Sequence, residues 1–534
     1  MAHSKNGQPD AGLRSLNHYR NQLPLWRYWP RQKLLPLIRF ETPYLAWCQE
    51  KIRTPTLDSY FAFTANLGTH TFFMVFLPIL FWCGYASLGR GMVHLLASGV
   101  FFSGFIKDLL CLPRPLSPPL QRITMSGSAA LEYGFPSTHS TNAVSVAVYV
   151  LSLLNSPDCA LSSSMNLALQ ALTYVYVSSI VLGRLYCGMH GFCDVVTGCL
   201  LGGFLAYLQY TYGPIVDEYI LAATGKGVTV VILLILALVR VHPEPADDCP
   251  CFDDSVAFAG VTLGAQIAYW HLARSKMGWY ESAAGPAPKF ELVEMTKTAL
   301  RLVLGILLLF VWRAVTKPFM LRILPPVFRG LEKLGLILPR RFFTNASQYS
   351  RVPAHLKDHE VLPNLSEIPS FLTTIRHPRR RAISVGPQSE ADAYEALAYR
   401  EKRRRESLSN GHKATPATAT EVGYAGSSAR EAQPPKLSRR PSKLNDYEHM
   451  MGTGALGPAT SLDNACQADL STVPFPDFDA GFEADEEELF AQIKRPRVRY
   501  DVEVVTKLVV YSGIAWIVME GAPLLFSQIG LAAY

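Results

Sequence analysis

Long apolar runs separated by short polar connections fill the middle of the chain. Apolar residues concentrate between about 67 and 315 and again between 504 and 526, and charged residues are scarce inside both blocks. Runs of this length are typical of helices that cross a bilayer. We therefore expect an all-α fold, a polytopic transmembrane helical bundle of about eight or nine spans. The predicted spans lie at about 67–87, 91–110, 139–155, 166–183, 192–212, 222–241, 255–273, 298–316 and 504–526.

The segments outside these runs have a different character. Residues 1–66 mix tryptophan with arginine, as at Trp26 and Arg27, which suits a segment at the level of lipid headgroups; a disordered tail is the alternative. Residues 344–499 lose apolar periodicity and hold too few apolar residues to offset chain entropy, so we expect them to be disordered. The predicted organisation is an N-terminal segment at 1–66, a core at 67–212, further spans at 213–343, the disordered segment at 344–499 and a final span at 500–534.

Composition narrows the class of protein. A formal net charge of +7 over 534 residues suits basic loops beside a membrane and argues against a dedicated nucleic-acid binder. Cys249-Pro250-Cys251 has one residue between its cysteines, where zinc sites usually have two or more, so no metal site is predicted. The N-terminus lacks a short apolar run followed by a cleavage site, so we expect no cleavable signal peptide.

Three polar patches stand at the ends of predicted spans. They are the stretches KDLLCLPRP, PSTH and GRLYCGMHGFCD. Titratable side chains beside apolar spans indicate a functional site. Because alternate helix ends of an antiparallel bundle share one face, we expect the patches to meet. Their polar residues are Lys107, Arg114, Ser137, His139, Arg184, His190 and Asp194.

This set of residues matches the needs of phosphoryl transfer. The reaction requires charge neutralisation on the phosphate oxygens and an in-line nucleophile. Lysine and arginine supply the first. A histidine that is neutral near pH 7 supplies the second, and a carboxylate can fix its tautomer. Asp194 lies four residues after His190, which on a helix would place both side chains on one face.

The second histidine has a different predicted role. His139 follows Pro136 and Ser137 at the predicted start of a helix, where free N–H groups face an anion. Ser137 and this backbone can bind a phosphate oxygen, and a protonated His139 can give its proton to the leaving alkoxide. The residues therefore predict cleavage of a phosphate ester at a bilayer surface, and they leave the identity of the lipid open.

These motifs resemble the type 2 phosphatidic acid phosphatase superfamily, whose pattern is Lys-x6-Arg-Pro, then Pro-Ser-Gly-His, then Ser-Arg-x5-His-x3-Asp. The resemblance implies that His190 is the nucleophile and forms a phosphohistidine, that Asp194 orients it and that His139 is the acid for the leaving group. It implies no metal and no other cofactor. The implied phosphate-binding residues are Lys107, Arg114, Ser137, Thr138 and Arg184.

Two departures from the superfamily pattern narrow the resemblance. Thr138 stands where glycine is usual, and Gly183 where serine is usual. Both are similar to the sphingosine-1-phosphate phosphatase branch, and the long segment before a final apolar span resembles the fungal dihydrosphingosine-1-phosphate phosphatases. This implies a long-chain (sphingoid) base 1-phosphate as substrate. The alternatives are a phosphatase for phosphatidic acid or a polyprenyl diphosphate, or a lipid-phosphate-binding membrane protein without catalysis. The histidine pair argues against the last, because binding alone needs no nucleophile.

A sphingoid base also carries an ammonium group near its phosphate. A carboxylate that pairs with this ammonium is expected near the site, and the sequence offers Glu132 or the Asp247-Asp248 loop.

The sequence gives conflicting signals about orientation. Counting spans puts the N-terminal segment, the site and residues 344–499 on one side, and their arginines would mark that side as cytosolic. The family resemblance implies instead an endoplasmic reticulum membrane with the site facing the lumen. A further crossing within Pro318–Pro339 would move residues 344–499 to the other side. Basic runs ahead of Ser384, Ser407 and Ser442 resemble sites for basophilic kinases, which are possible partners.

Overall fold

The structure is a computed structural model, and it describes residues 16–116, 119–123, 132–157, 159, 161–274, 292–336, 340–352 and 498–531. Helices account for 79% of this part, and its strands are two residues long, which confirms the all-α prediction. The amino-terminal helices are α1 (Leu16–Gln22), α2 (Leu25–Ile52), α3 (Pro55–Asn66), α4 (His70–Trp82) and α5 (Ala86–Leu110). The middle helices are α6 (Thr138–Leu154), α7 (Ser163–Tyr186), α8 (Phe192–Ala222), α9 (Gly225–Val241) and α10 (Cys251–Leu272). The last elements are α11 (Leu292–Lys333), strand β1 (Phe343–Thr344), a 3-10 turn (Ala346–Gln348), strand β2 (Arg499–Tyr500), α12 (Val502–Trp516), a π turn (Ile517–Gly521) and α13 (Ala522–Gln528).

Five of the described helices are long and apolar enough to cross a membrane. Helices α7 and α8 expose large apolar side chains such as Leu167 (69%) and Leu200 (70%), as lipid-facing helices do. Every predicted span coincides with a helix, but the first is shorter than expected, because α4 ends at Trp82 and Gly84 takes a positive φ of 92° before α5 begins. The count of eight or nine spans stays a prediction. The five spans are 86–110, 163–186, 192–222, 294–333 and 502–528.

The centre of the bundle joins helices that are distant in sequence. Helix α10 packs between α5 and α12, and α4 and α11 complete the largest core cluster. Trp82 of α4 donates its indole N–H to the carbonyl of Val518 (3.1 Å), and Trp312 of α11 donates to the carbonyl of Val510 (3.1 Å). The final helix is therefore part of the same bundle as the helices that carry the motifs.

Helices α6 and α8 meet through glycines. A Cβ added at Gly198 would lie 2.7 Å from the carbonyl oxygen of Ser137, and one at Gly202 would lie 2.3 Å from that of Thr141. Only glycine permits backbones to approach so closely, as in small-xxx-small packing. The N–H of Ser137 also donates to the carbonyl of Asp194 (3.0 Å), so the first turns of the two helices are held together.

The amino-terminal segment is helical from residue 16, so the alternative of a disordered tail does not describe residues 16–66. Trp26 is exposed, but Arg27 and Arg31 are buried and do not reach lipid headgroups. Arg27 donates to the carbonyls of Asp108 and Leu109, and Arg31 to that of Cys111. The two arginines satisfy carbonyls that are left free where α5 ends, at Cys111, whose φ is +52°.

The ends of the long polar segment are fixed at one place. Strands β1 and β2 pair in parallel, Phe343 with Arg499 and Thr344 with Tyr500. Arg499 also forms ion pairs with Asp248 and Asp253. Residues 353–497, with the predicted kinase sites at Ser384, Ser407 and Ser442, lie outside the described residues. Helix α11 continues through Pro318, Pro325 and Pro326 to Lys333, so the described part of Pro318–Pro339 contains no separate crossing.

Candidate active site

A pocket of about 190 Å³ lies where α5 and α7 end and α6 and α8 begin. The structure brings all three polar patches to it, as the alternation of spans predicts. Ser137 and Asp194 are buried directly behind its wall. The sequence-predicted residues that line the pocket are Lys107, Arg114, Thr138, His139, Arg184 and His190.

Three buried cations come from three elements. Lys107 lies in the last turn of α5, Arg184 in the last turn of α7, and Arg114 in the extended segment between α5 and α6. Arg114 is fixed by its Nε bond to the carbonyl of Glu132 (3.1 Å) and its Nη1 bond to the carbonyl of Met189 (2.9 Å). Burial lowers the pKa of Arg114 to about 10, so it stays charged at neutral pH. Three fixed cations facing one pocket suit a dianionic ligand.

The pairing of His190 with Asp194 is present, but not through a shared helix face. His190 lies in the loop before α8, and Gly191 is the residue that caps the helix. Asp194 accepts the N–H of Gly191 at Oδ2 (3.0 Å), and the same oxygen lies 3.5 Å from Nδ1 of His190. The expected helical geometry is therefore wrong. Instead, the side chain of Asp194 in the first turn of α8 accepts the backbone N–H of the capping residue Gly191. This contact folds the preceding loop over the start of the helix and brings His190 beside Asp194.

The second ring nitrogen of His190, Nε2, also has a fixed partner. Nη1 of Arg114 lies 3.2 Å from Nε2 of His190, and a guanidinium can only donate, so Nε2 accepts and the ring proton belongs on Nδ1, toward Asp194. Burial, and then the charges of Arg114, Lys107 and Arg184, hold the pKa of His190 well below its ordinary value of 6.5. His190 lines the pocket as a neutral imidazole whose lone pair is on Nε2, so it has the chemistry of a nucleophile once a bound phosphate takes the place of Nε2 as the partner of Arg114.

The start of α6 supplies the second side of the pocket. Ser137 is fully buried, and its hydroxyl accepts the N–H of Ser140 as a helix cap, so the hydroxyl does not line the pocket. Thr138 and His139 do line it. The threonine that replaces the usual glycine is accommodated because Ser103 of α5 donates to its hydroxyl (2.9 Å).

Gly183, the other departure from the superfamily pattern, has a packing role. A Cβ there would lie 3.0 Å from the Phe61 ring, which itself packs on Tyr186. Glycine therefore lets α3 approach α7 just before Arg184.

Two residues that hold the site in place were not predicted from the sequence. Glu41 of α2 accepts the N–H of Cys193 with both carboxylate oxygens (3.0 and 3.2 Å), and Gln49 donates to the carbonyls of Gln121 and Tyr186. Burial raises the pKa of Glu41. Both residues lie outside the motifs, and no spacing rule connects them with the pocket.

Of the two carboxylate positions predicted to pair with an ammonium group, one lines the pocket and the other does not. Glu132 lines the pocket. Asp247 is buried elsewhere and accepts the hydroxyls of Tyr19 (2.8 Å) and Tyr133 (3.0 Å), while Asp248 pairs with Arg499, so this loop does not line the pocket. Asp254 of α10, which the sequence did not single out, does.

The bundle, the buried cations and the two histidines in one pocket define a phosphatase of the PAP2 type, and the PAP2 superfamily model matches residues 88–215. The chain is 38% identical to a dihydrosphingosine 1-phosphate phosphatase of Schizosaccharomyces pombe, over 64% of this chain and 83% of that protein. It is 33% identical to a dihydrosphingosine 1-phosphate phosphatase of Saccharomyces cerevisiae, over 57% and 74%. Sphingosine-1-phosphate phosphatase 2 of Mus musculus is 28% identical, over 54% and 82%. No solved structure matches.

The chain belongs to the sphingosine-1-phosphate phosphatase branch of the PAP2 superfamily. It is accordingly a phosphoric monoester hydrolase that acts on lipid phosphates.

Proposed function

We propose that the protein is an integral membrane phosphatase of the endoplasmic reticulum that removes phosphate from long-chain base 1-phosphates such as dihydrosphingosine 1-phosphate, in sphingolipid metabolism. The observation that carries this proposal is the pocket that Lys107, Arg114 and Arg184 line together with the two histidines, His190 and His139. The names of the fungal relatives support the substrate class. The site faces the lumen in this proposal, with residues 67–212 as its core.

The proposed mechanism has two displacement steps. Nε2 of His190 attacks phosphorus, the P–O bond to the lipid breaks, and His139 gives a proton to the leaving alkoxide. The phosphohistidine is then hydrolysed by water, which His139, now neutral, deprotonates. Asp194 holds the proton on Nδ1 throughout. The cations neutralise charge on the equatorial oxygens, with the backbone at Thr138, in the first turn of α6, as a further anion-binding element.

Phosphate release by the purified, detergent-solubilised protein tests the proposal. We expect release from dihydrosphingosine 1-phosphate in the presence of a chelator, and slower release from phosphatidic acid and from a polyprenyl diphosphate at equal surface concentration. Turnover that requires an added divalent metal would contradict the mechanism. Faster release from phosphatidic acid or from the polyprenyl diphosphate would show that the substrate belongs to that class of lipid instead. Lipid binding without release would indicate a binding protein.

The environment of His190 predicts a specific pH dependence of kcat/KM. Its lowered pKa keeps the nucleophile neutral, so activity that depends on it is retained at neutral pH and is lost only as the pH falls through a value below 6.5. Lys107→Gln removes one of the charges that lower this pKa, so the acidic limb should move to higher pH, with a lower maximum. The ionisation of the substrate phosphate is the same for both enzymes, so the difference reports on the enzyme. An acidic limb at the same pH in both would contradict the assignment of His190.

A further inference from the structure

Two carboxylates line the phosphate pocket together with its cations. Glu132 lies in the segment that leads into α6, and Asp254 lies in the first turn of α10. Oε2 of Glu132 is 3.3 Å from Nζ of Lys107 and 3.3 Å from Nη2 of Arg114. Asp254 interacts electrostatically with Glu132 and Asp253, which have like charge, and with the cations of Lys507 and Lys107. Within the described part of the chain, Glu132 and Asp254 are the two acidic side chains that line this pocket.

The neighbouring acids have partners elsewhere. Asp253 forms ion pairs with Arg499 and with Lys507 (2.8 Å), and Asp194 lies behind the wall as the cap of α8. Glu41 binds the N–H of Cys193. None of the three lines the pocket, so Glu132 and Asp254 are the carboxylates that a bound lipid headgroup meets.

Glu132 now contacts two of the cations that a phosphate needs. A phosphate bound by Lys107 and Arg114 competes with Glu132 for them and places a dianion beside it. The displaced carboxylate then faces like charge from the phosphate and from Asp254, which is unfavourable in a partly buried pocket. A cation between the two carboxylates removes this penalty.

A sphingoid base 1-phosphate carries such a cation. Its ammonium group is on the carbon next to the one that bears the phosphate ester, so a headgroup bound at Lys107 and Arg114 brings the ammonium to the wall that holds the carboxylates. We propose that Glu132 and Asp254 form an ammonium subsite that selects sphingoid base phosphates and rejects lipid phosphates without a cation. The inference rests on the proposed function and deepens it. Rejection arises because a neutral or purely anionic headgroup brings no positive charge to the two carboxylates, which then face the phosphate dianion.

The test is a ratio of kcat/KM values for two substrates that carry the same phosphate. The substrates are dihydrosphingosine 1-phosphate and its N-acetyl derivative, in which the ammonium becomes a neutral amide. Octadecyl phosphate, which has no nitrogen, controls for the size of the acetyl group. For the wild type we expect the charged substrate to be preferred about 10–100-fold, the range of one or two charge-assisted contacts.

Isosteric variants assign the preference to residues. In Glu132→Gln and Asp254→Asn the preference should fall about tenfold. Any effect of Glu132→Gln on Lys107 and Arg114 acts on all three phosphates alike, so the ratio isolates the ammonium. Glu244→Gln removes an exposed carboxylate that does not line the pocket and should keep the wild-type ratio.

Each outcome decides the inference. A wild-type enzyme that hydrolyses all three phosphates equally overturns the subsite while the phosphatase function stands. This outcome is measured on the wild type alone, so it does not depend on whether a variant folds. A preference that survives in both variants, purified as monodisperse protein, also overturns it. A wild type inactive on all three overturns the proposed function and the subsite together.

Discussion

His190→Gln lowers phosphate release from dihydrosphingosine 1-phosphate by at least about 10³-fold, because the variant has no group that can attack phosphorus. Glutamine has nearly the reach of the imidazole, and its amide oxygen can accept from Nη1 of Arg114, which now bonds to Nε2 of His190. The packing of the pocket should therefore survive. The measurement is single-turnover release from labelled substrate, with the protein then tested for a covalently bound phosphate that is stable to base and labile to acid. Wild type should carry this label, and His190→Gln should not.

His139→Gln is the matched comparison, because it removes the other histidine of the same pocket. Its role in the proposal is to protonate the leaving group, so an aryl phosphate, whose leaving group needs no proton, should be cleaved by this variant far better than the lipid. No leaving group can rescue His190→Gln. If His190→Gln still forms the labelled enzyme, or if both variants respond alike to the aryl phosphate, the two histidine roles are wrong.

Asp194→Asn lowers kcat by about 10²–10³-fold while the fold is kept. The asparagine oxygen can still accept the N–H of Gly191 and cap α8. The same oxygen lies beside Nδ1 of His190, but a neutral amide oxygen is a weaker acceptor than a carboxylate and does not offset the positive charge that the ring acquires when Nε2 attacks phosphorus. Substrate binding should change little, because Asp194 lies behind the pocket wall. The measurement is kcat and KM for wild type and variant, together with thermal unfolding.

Glu41→Gln is the control for Asp194→Asn, because Glu41 also binds a backbone N–H at the start of α8 but does not pair with the nucleophile His190. Glu41 binds the N–H of Cys193 at the same end of α8, so this variant should lose stability, by about 1–2 kcal/mol, with a much smaller effect on kcat. If Asp194→Asn loses stability and keeps its kcat, its role is capping alone.

The convergence of the polar patches could be predicted because it depends only on the spacing of apolar runs. Lys107 ends one run and His139 begins the next, and an antiparallel bundle places such ends together. The contact between His190 and Asp194 was predicted for the wrong reason. Helical spacing suggested a common face, but α8 begins at Phe192, and a fold of the loop over the helix start makes the contact instead.

Other features of the site depend on contacts between distant segments. Asp254 reaches the pocket because α10 packs on α5, and Glu41 reaches α8 from a helix that precedes all the motifs. No period in the sequence encodes either approach. The position of a charged side chain is equally hard to predict. Arg27 lies beside a tryptophan, which suggested that it binds lipid headgroups, but it binds backbone carbonyls at the end of α5. Composition cannot distinguish a cation that faces lipid from one that closes a helix.

The parallel pairing of β1 with β2 has a consequence for how this protein can diverge. Asp501, next to β2, accepts the N–H of Ala346 (2.8 Å) and the hydroxyl of Tyr349 (2.5 Å), so the chain leaves and rejoins the bundle at a single point. Changing the length of a loop with fixed ends costs only about 0.6 kcal/mol for each doubling. The entropy of closing the connection between residues 353 and 497 therefore depends only weakly on its length. Because β1 and β2 keep the two anchor points together, the last helix can stay packed against α10 when that length changes.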